Sequence, residues 1–156
     1  MSLDRAKAHL EKYGVADRIQ LFDVSSATVA LAAEALGVEE DRIAKTLSYR
    51  DGETAFLIVL SGNARLDNRK FKDRFHMKAR MLSAEDCEAL IGHAVGGVCP
   101  FGVNEGIPVY LDTSLQKHDT IFPATGTANS AIELTPEELY RVSEAKEWVS
   151  VSKNEA

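Results

Sequence analysis

Apolar and polar residues alternate through residues 43–50. Ile43, Lys45, Leu47 and Tyr49 fall on one face and Ala44, Thr46, Ser48 and Arg50 on the other, the period of two expected of a strand. After Asp51-Gly52, a two-residue hairpin signal, residues 55–60 are continuously apolar, which suits a strand covered on both faces. This hairpin is the expected centre of a sheet. Ahead of it, Leu3, Ala6, Leu10 and Tyr13 recur near helical spacing behind Ser2, a candidate N-cap, with Gly14 as the stop. Residues 19–24 read as a short strand, and Ser25-Ser26 opens a helix over residues 28–36 that ends at Gly37. Beyond the hairpin, Asp67 is placed to cap a helix over residues 68–75 that buries Phe71 and Phe75. Ala79 and Met81 suggest a short strand, and Ser83-Ala84-Glu85-Asp86 has the form of a capping box, with Asp in place of Glu, for a helix to Ile91. Residues 107–112, 120–122, 131–134 and 147–151 read as strands. Thr135-Pro136-Glu137-Glu138 starts a helix that buries Leu139 and Val142, and residues 153–156 form a frayed tail.

Two features stand outside this pattern. Lys45 sits in an apolar row, where its ammonium loses hydration unless a polar or anionic group meets it, or unless it lies at the strand end and reaches out to water. The stretch His93-Ala94-Val95-Gly96-Gly97-Val98-Cys99-Pro100-Phe101-Gly102-Val103 has neither period. Its glycines permit positive φ and leave peptide N–H groups uncovered, while Pro100 fixes its own φ. Such a loop can hold a ligand with its backbone, or can simply turn the chain between core elements.

A chain of 156 residues with 45% hydrophobic content suits one domain over residues 1–156 with one sizeable core. A net charge of −6 argues against indiscriminate coating of nucleic acid. Residues 65–80 nevertheless carry seven Lys or Arg against Asp67 and Asp73, which reads either as a basic binding face or as a solvated helix face. Charges through the first ten residues, and no apolar run near eighteen, lead us to expect a soluble cytoplasmic protein without a membrane span. Cys87 and Cys99 lack Cys-x-x-Cys spacing and His9, His76, His93 and His118 are scattered, so neither a disulfide nor a metal site is indicated.

The segment Gly96-Gly97-Val98-Cys99-Pro100-Phe101-Gly102 resembles the Gly-x-x-x-Pro loop of the YbaK/EbsC family, the aminoacyl-tRNA deacylases related to the editing domain of bacterial prolyl-tRNA synthetases. It is joined, in the family's order, by Ile43-Ala44-Lys45-Thr46-Leu47, Ser61-Gly62-Asn63-Ala64-Arg65-Leu66-Asp67, Val109-Tyr110-Leu111-Asp112 and Ala131-Ile132-Glu133-Leu134-Thr135-Pro136-Glu137-Glu138-Leu139. The resemblance implies a YbaK-like α/β (α+β) domain, with a mixed, mostly antiparallel curved sheet or barrel and helices around it. It also implies a free-standing deacylase that removes cysteine or alanine from tRNA(Pro) without metal or cofactor. Its partners would be the aminoacyl-tRNA acceptor end and a prolyl-tRNA synthetase.

By that resemblance Lys45 matches the family's active-site lysine, with Gly96 and Gly97 completing the catalytic set. Thr46, Asn63, Val98, Cys99, Pro100, Phe101, Gly102, Asp112 and Gly126 become expected substrate contacts, and Arg65, Arg69, Lys70 and Lys72 expected contacts to the tRNA backbone. Asn63 stands where relatives often carry Asp, and Thr125-Gly126-Thr127-Ala128-Asn129-Ser130 matches the family's late glycine loop loosely, so amino-acid specificity stays open. Asp112 is a pocket residue or a turn-forming Asp.

An aminoacyl ester is already activated, so its hydrolysis needs a placed water and a stabilised oxyanion more than a strong nucleophile. Fixed amide donors typically contribute about 2.7 to 4 kcal/mol each, and the glycine loop is suited to supply them. One rival chemistry is a thiol hydrolase using Cys99 with His93. The other is a non-catalytic module that binds tRNA or a nucleotide end.

Overall fold

The computed structural model describes residues 2–153, Ser2 by its backbone alone. The cap expected of Ser2 and the fraying expected of residues 154–156 lie outside the described residues. Strand β1 is Gln20–Leu21, β2 Ile43–Asp51, β3 Thr54–Ser61, β4 Val109–Asp112, β5 Phe122–Pro123, β6 Ser130–Ala131 and β7 Glu147–Val149. Helix α1 is Ser2–Glu11, α2 Val29–Leu36, α3 Asn68–Phe75, α4 Ala84–Asp86 and α5 Pro136–Val142.

A curled five-stranded sheet has the order β5-β2-β3-β4-β7, and β1 pairs with β6 separately. The sheet is mixed, but within it only β2–β3 is antiparallel; β2–β5, β3–β4 and β4–β7 are parallel. The mostly antiparallel sheet expected from the sequence is corrected to this extent. Only β2 and β3 are joined by a tight turn, whereas the longer connections carry helices, as parallel neighbours require. Residues of one sheet face, among them Ala44, Leu57, Val59 and Leu111, join Leu10, Phe101 and Leu139 in one core cluster. On the other face Tyr49, Phe56, Ile58, Leu60 and Tyr110 cluster with Phe71 of α3.

Local signals held where both halves of a motif are close in sequence. Asp67 caps α3 by accepting from Arg69 N–H and Lys70 N–H, and Thr135 and Glu138 form the full capping box of α5. Elsewhere partners altered the outcome. Residues 19–24 contribute only the two-residue β1, because β6 offers only two partners. Helix α2 is capped by Thr28, which accepts from Leu31 N–H, while Ser25 accepts from Ala27 N–H in the approach. Asp51 pairs with Thr54, which moves the turn by one residue to Gly52-Glu53.

The strand expected near Ala79 is a single bridge from Met81 to Tyr49. Ser83 accepts from Asp86 N–H, but the Asp86 carboxylate pairs with Arg50, so the box is half made. The helix then widens into a π-turn over Cys87–Ile91. Strand β4 starts only after Pro108, whose carbonyl accepts from Leu57 N–H, and the 131–134 segment divides between β6 and a bridge from Leu134 to Ile121.

Candidate active site

Strand β2 is incompletely covered on the side away from β3. At one end β5 pairs with Ile43 and Ala44. At the other, Leu82 N–H donates to Ser48 O at 3.2 Å and Arg50 N–H donates to Arg80 O at 2.8 Å. Between them lies a cavity of about 560 Å³. Its walls are mainly apolar: Ala27, Val29 and Ala32 around the start of α2, Leu82 and Cys87, Val95 and Val98 of the glycine loop, and Phe122, Ala124 and Ala131. Ser26, Thr28, Lys45, Thr46, Ser48 and Ser130 supply its polar groups. Ser26 Oγ and Thr46 Oγ1 are buried without a partner among the described residues.

Lys45 is half-buried in this wall, and its ammonium is fixed by main chain. Nζ donates to Gly62 O at 3.2 Å and to Ala64 O at 2.5 Å, which uses two of its three donors. Burial pushes its pKa below the ordinary 10.5, with Asp41 opposing that shift and Arg65 adding to it. No carboxylate pairs with this ammonium among the described residues; two main-chain carbonyls position the half-buried lysine, which lines the cavity.

Asp41 holds the turn that holds Lys45. Its Oδ1 accepts from Ser61 Oγ–H at 3.1 Å and Asn63 N–H at 3.2 Å, and its Oδ2 from Lys117 Nζ at 2.9 Å and His118 Nε2–H at 2.7 Å. Gly62 fits because its missing Cβ would lie 1.9 Å from Glu40 O. Burial alone would raise the Asp41 pKa, but the bonds from Lys117, His118, Ser61 and Asn63 outweigh it and bring the value from 3.8 to about 2. A carboxyl depressed on folding stabilises fully above its unfolded pKa, and that contribution is lost as pH falls through the folded one. We expect stability to hold above about pH 4 and to drop toward pH 2, and Asp41→Asn to flatten that limb in a series of acid melts.

The glycine loop divides into a lining part and a packing part. Gly96, at φ 96°, and Val98 line the cavity. Gly97 does not present its amide there: its N–H donates to Ala94 O at 3.1 Å, and an added Cβ would lie 2.7 Å from the Gly126 carbonyl group. The expectation that both glycines aim amides at a ligand is corrected for Gly97, and buried Gly126 is its packing partner. Cys99, Pro100 and Phe101 are buried behind the wall, and Gly102 lies against Arg5 backbone, where a Cβ would meet Arg5 O at 2.5 Å. These four are corrected from substrate contacts to loop and core residues.

Cys99 and His93 do meet, with Sγ 3.6 Å from Nε2. Both are fully buried and away from the cavity wall. His93 Nε2 lies 2.7 Å from Phe101 O and therefore carries the hydrogen, so it has no lone pair for the thiol proton. Burial pushes the Cys99 pKa up to about 12 and lowers that of His93. This pair is a neutral core contact rather than a nucleophile and base.

Of the two readings of Asp112, the turn-forming one holds and the pocket contact is corrected. Asp112 is fully buried, caps the following turn through Ser114 N–H, and accepts from Val151 N–H at 2.8 Å and Ser152 Oγ–H at 2.7 Å, clamping the chain after β7. Asn63 is exposed in the Lys45 turn, outside the cavity. Arg65, Arg69 and Lys72 are exposed just beyond that turn, whereas Lys70 reaches Ser152 O at 2.8 Å. Arg74 pairs with Glu147 and lies over Phe75 and Tyr110.

Sequence reasoning missed Cys87 and Ser48, whose Sγ and Oγ approach to 3.8 Å in the cavity wall. The one available sign was that Ser48 shares the strand face of Ala44 and Thr46.

The aminoacyl-tRNA editing domain family matches residues 24–142, and the chain belongs to it. Editing of an aminoacyl-tRNA is hydrolysis of its ester, so the class is one of hydrolases. The uncharacterized protein YwhH of Bacillus subtilis is 47% identical over 155 residues, covering 99% of each chain. EbsC of Enterococcus faecalis, named as a Cys-tRNA(Pro)/Cys-tRNA(Cys) deacylase, is 37% identical over 107 residues, 67% of this chain and 65% of its own. A crystal structure described as a trans-editing enzyme for prolyl tRNA synthetase matches with a TM-score of 0.88 at 30% identity, over 98% of both chains. Among the described residues no helix is long and apolar enough to cross a membrane.

Proposed function

We propose that this chain is a trans-acting deacylase that hydrolyses the ester of misacylated tRNA, with cysteine or alanine on tRNA(Pro) as its substrate. The observation that carries the reading is Lys45, a residue of the wall of a mainly apolar cavity, whose Nζ is fixed by Gly62 O and Ala64 O. Lys45 holds the nucleotide end, Gly96 and Val98 bound the reacting ester, and the apolar walls receive a small side chain. A synthetase pocket separates small apolar side chains by only about 1 to 3 kcal/mol per methylene, so a second site that clears errors has a physical purpose. Supporting the substrate class are the editing-domain family and the name of EbsC. Delivery by a prolyl-tRNA synthetase belongs to the same proposal, supported by the description of the matching crystal structure.

The test is loss of ester from a panel of tRNAs charged with cysteine, alanine, serine and proline. Release of cysteine or alanine from tRNA(Pro), with proline spared, is the expected result. Binding without release would leave a non-catalytic module.

Arg65, Arg69 and Lys72 lie along the exit from the Lys45 turn and meet acceptor-stem phosphates in this reading. We expect Arg69→Glu with Lys72→Glu to weaken tRNA binding, and the dependence of log Kd on log salt to become shallower by about one unit for each phosphate no longer neutralised. Filter binding at several salt concentrations measures both. An unchanged slope would return α3 to a solvated face.

A further inference from the structure

On the outer edge of β2, Ser48 O and Arg50 N–H point away from β3 and bond to the 80–82 segment. Antiparallel pairing alternates the direction of these groups residue by residue, so Thr46 N–H and C=O point the same way. Ala44 is covered by β5 and Ser48 by Leu82, and Thr46 lies between them at the cavity. Leu82 takes only the Ser48 carbonyl, so among the described residues the uncovered edge carries Thr46 N–H, Thr46 C=O and Ser48 N–H.

We infer that the aminoacyl group binds as a one-residue strand antiparallel to β2, its α-ammonium donating to Thr46 C=O and its ester carbonyl accepting from Thr46 N–H. This rests on the deacylase reading and names the backbone that recognises its substrate. An α-amino ester carries one donor and one acceptor on adjacent atoms, the same pair that a strand residue exchanges with its opposite number. A parallel arrangement would instead take Thr46 C=O with Ser48 N–H on the same outer edge, so protection of Ser48 N–H in place of Thr46 N–H in the experiment below would overturn the antiparallel pairing. The amide that polarises the carbonyl is then Thr46 N–H, in place of the one that Gly97 donates to Ala94.

The orientation has consequences on both sides. Paired residues put their side chains on one face, so an L-amino acid directs its side chain to the face of Thr46 and Ser48, where Cys87 stands in the cavity wall. Antiparallel direction sends the ester oxygen and nucleotide toward the Ala44 end of β2. Ala44 lies opposite Ser61, beside the turn that leads to Arg65. The acceptor end therefore leaves the cavity on the side of the exposed cations.

The test uses 3′-alanylamino-3′-deoxyadenosine, which cannot be hydrolysed, and its propionyl counterpart, which lacks the ammonium. Amide hydrogen exchange is followed by NMR on the whole chain. In the free protein Thr46 N–H should exchange faster than those of Lys45 and Leu47. Saturation with the alanyl compound should slow Thr46 at least tenfold, and the propionyl compound should bind at least tenfold more weakly. Unchanged exchange at Thr46 under saturation, equal Kd values, or no binding at millimolar concentration would overturn the inference. Ester loss is measured separately. Protection of Thr46 without ester loss retains the pairing and removes the deacylase, and ester loss without protection does the reverse.

Discussion

Replacing Lys45 with methionine is expected to lower the single-turnover deacylation rate about a hundredfold while the protein keeps a cooperative melt. A hydrogen bond to a charged group contributes about 1.5 to 3 kcal/mol, and a factor of ten in rate corresponds to about 1.4 kcal/mol. Methionine keeps the unbranched stem beside Leu60, its strand partner, and deletes the ammonium that Gly62 O and Ala64 O hold. The pH dependence has a definite sign. Burial first, offset by Asp41 and reinforced by Arg65, lowers the pKa of Lys45. The charged form is the working form, so activity should decline with rising pH earlier than an unperturbed lysine would allow. A methionine variant that folds and retains the parent rate would remove Lys45 from the mechanism.

The second large effect is expected from Gly97→Ala, and it is an effect on packing. The new Cβ would lie within 2.8 Å of Gly126 C, Gly126 O and Thr127 Cα, all main chain, so neither loop can yield by rotating a side chain. Overpacking of this kind costs about 1 to 3 kcal/mol, and the melting temperature should fall accordingly. Turnover should fall with it, because Gly96 and Val98 on either side form the cavity wall. Cys99→Ala should cost a smaller amount of stability and leave turnover within a few-fold of the parent. Melts and single-turnover rates of the two variants decide the matter: a dead but stable Cys99→Ala beside an active Gly97→Ala would restore thiol chemistry.

What the sequence made legible was local. The caps at Asp67 and Thr135 have donor and acceptor within three residues, and the alternation through β2 placed Lys45 among apolar neighbours before any partner was known. Long-range partners were not legible. Asp112 is claimed by Val151 and Ser152, about forty positions away. Gly97 is shaped by Gly126, and the uncovered edge at Thr46 exists because two distant segments stop on either side of it. Charge density in α3 was visible, but which cations stay exposed was not, since Lys70 and Arg74 meet Ser152 and Glu147 near the end of the chain.

The oxygens that receive the Lys45 ammonium belong to the main chain, and every residue carries such an oxygen. Substitutions at Asn63 or Ala64 can alter shape or charge around the turn, yet none can delete the acceptors. Gly62 is the exception, because any side chain there collides with Glu40 O. The lysine seat thus presents a narrow target to mutation: Gly62, Asp41 and buried Ser61 guard it, while exposed Asn63 holds Asp41 through its main chain alone.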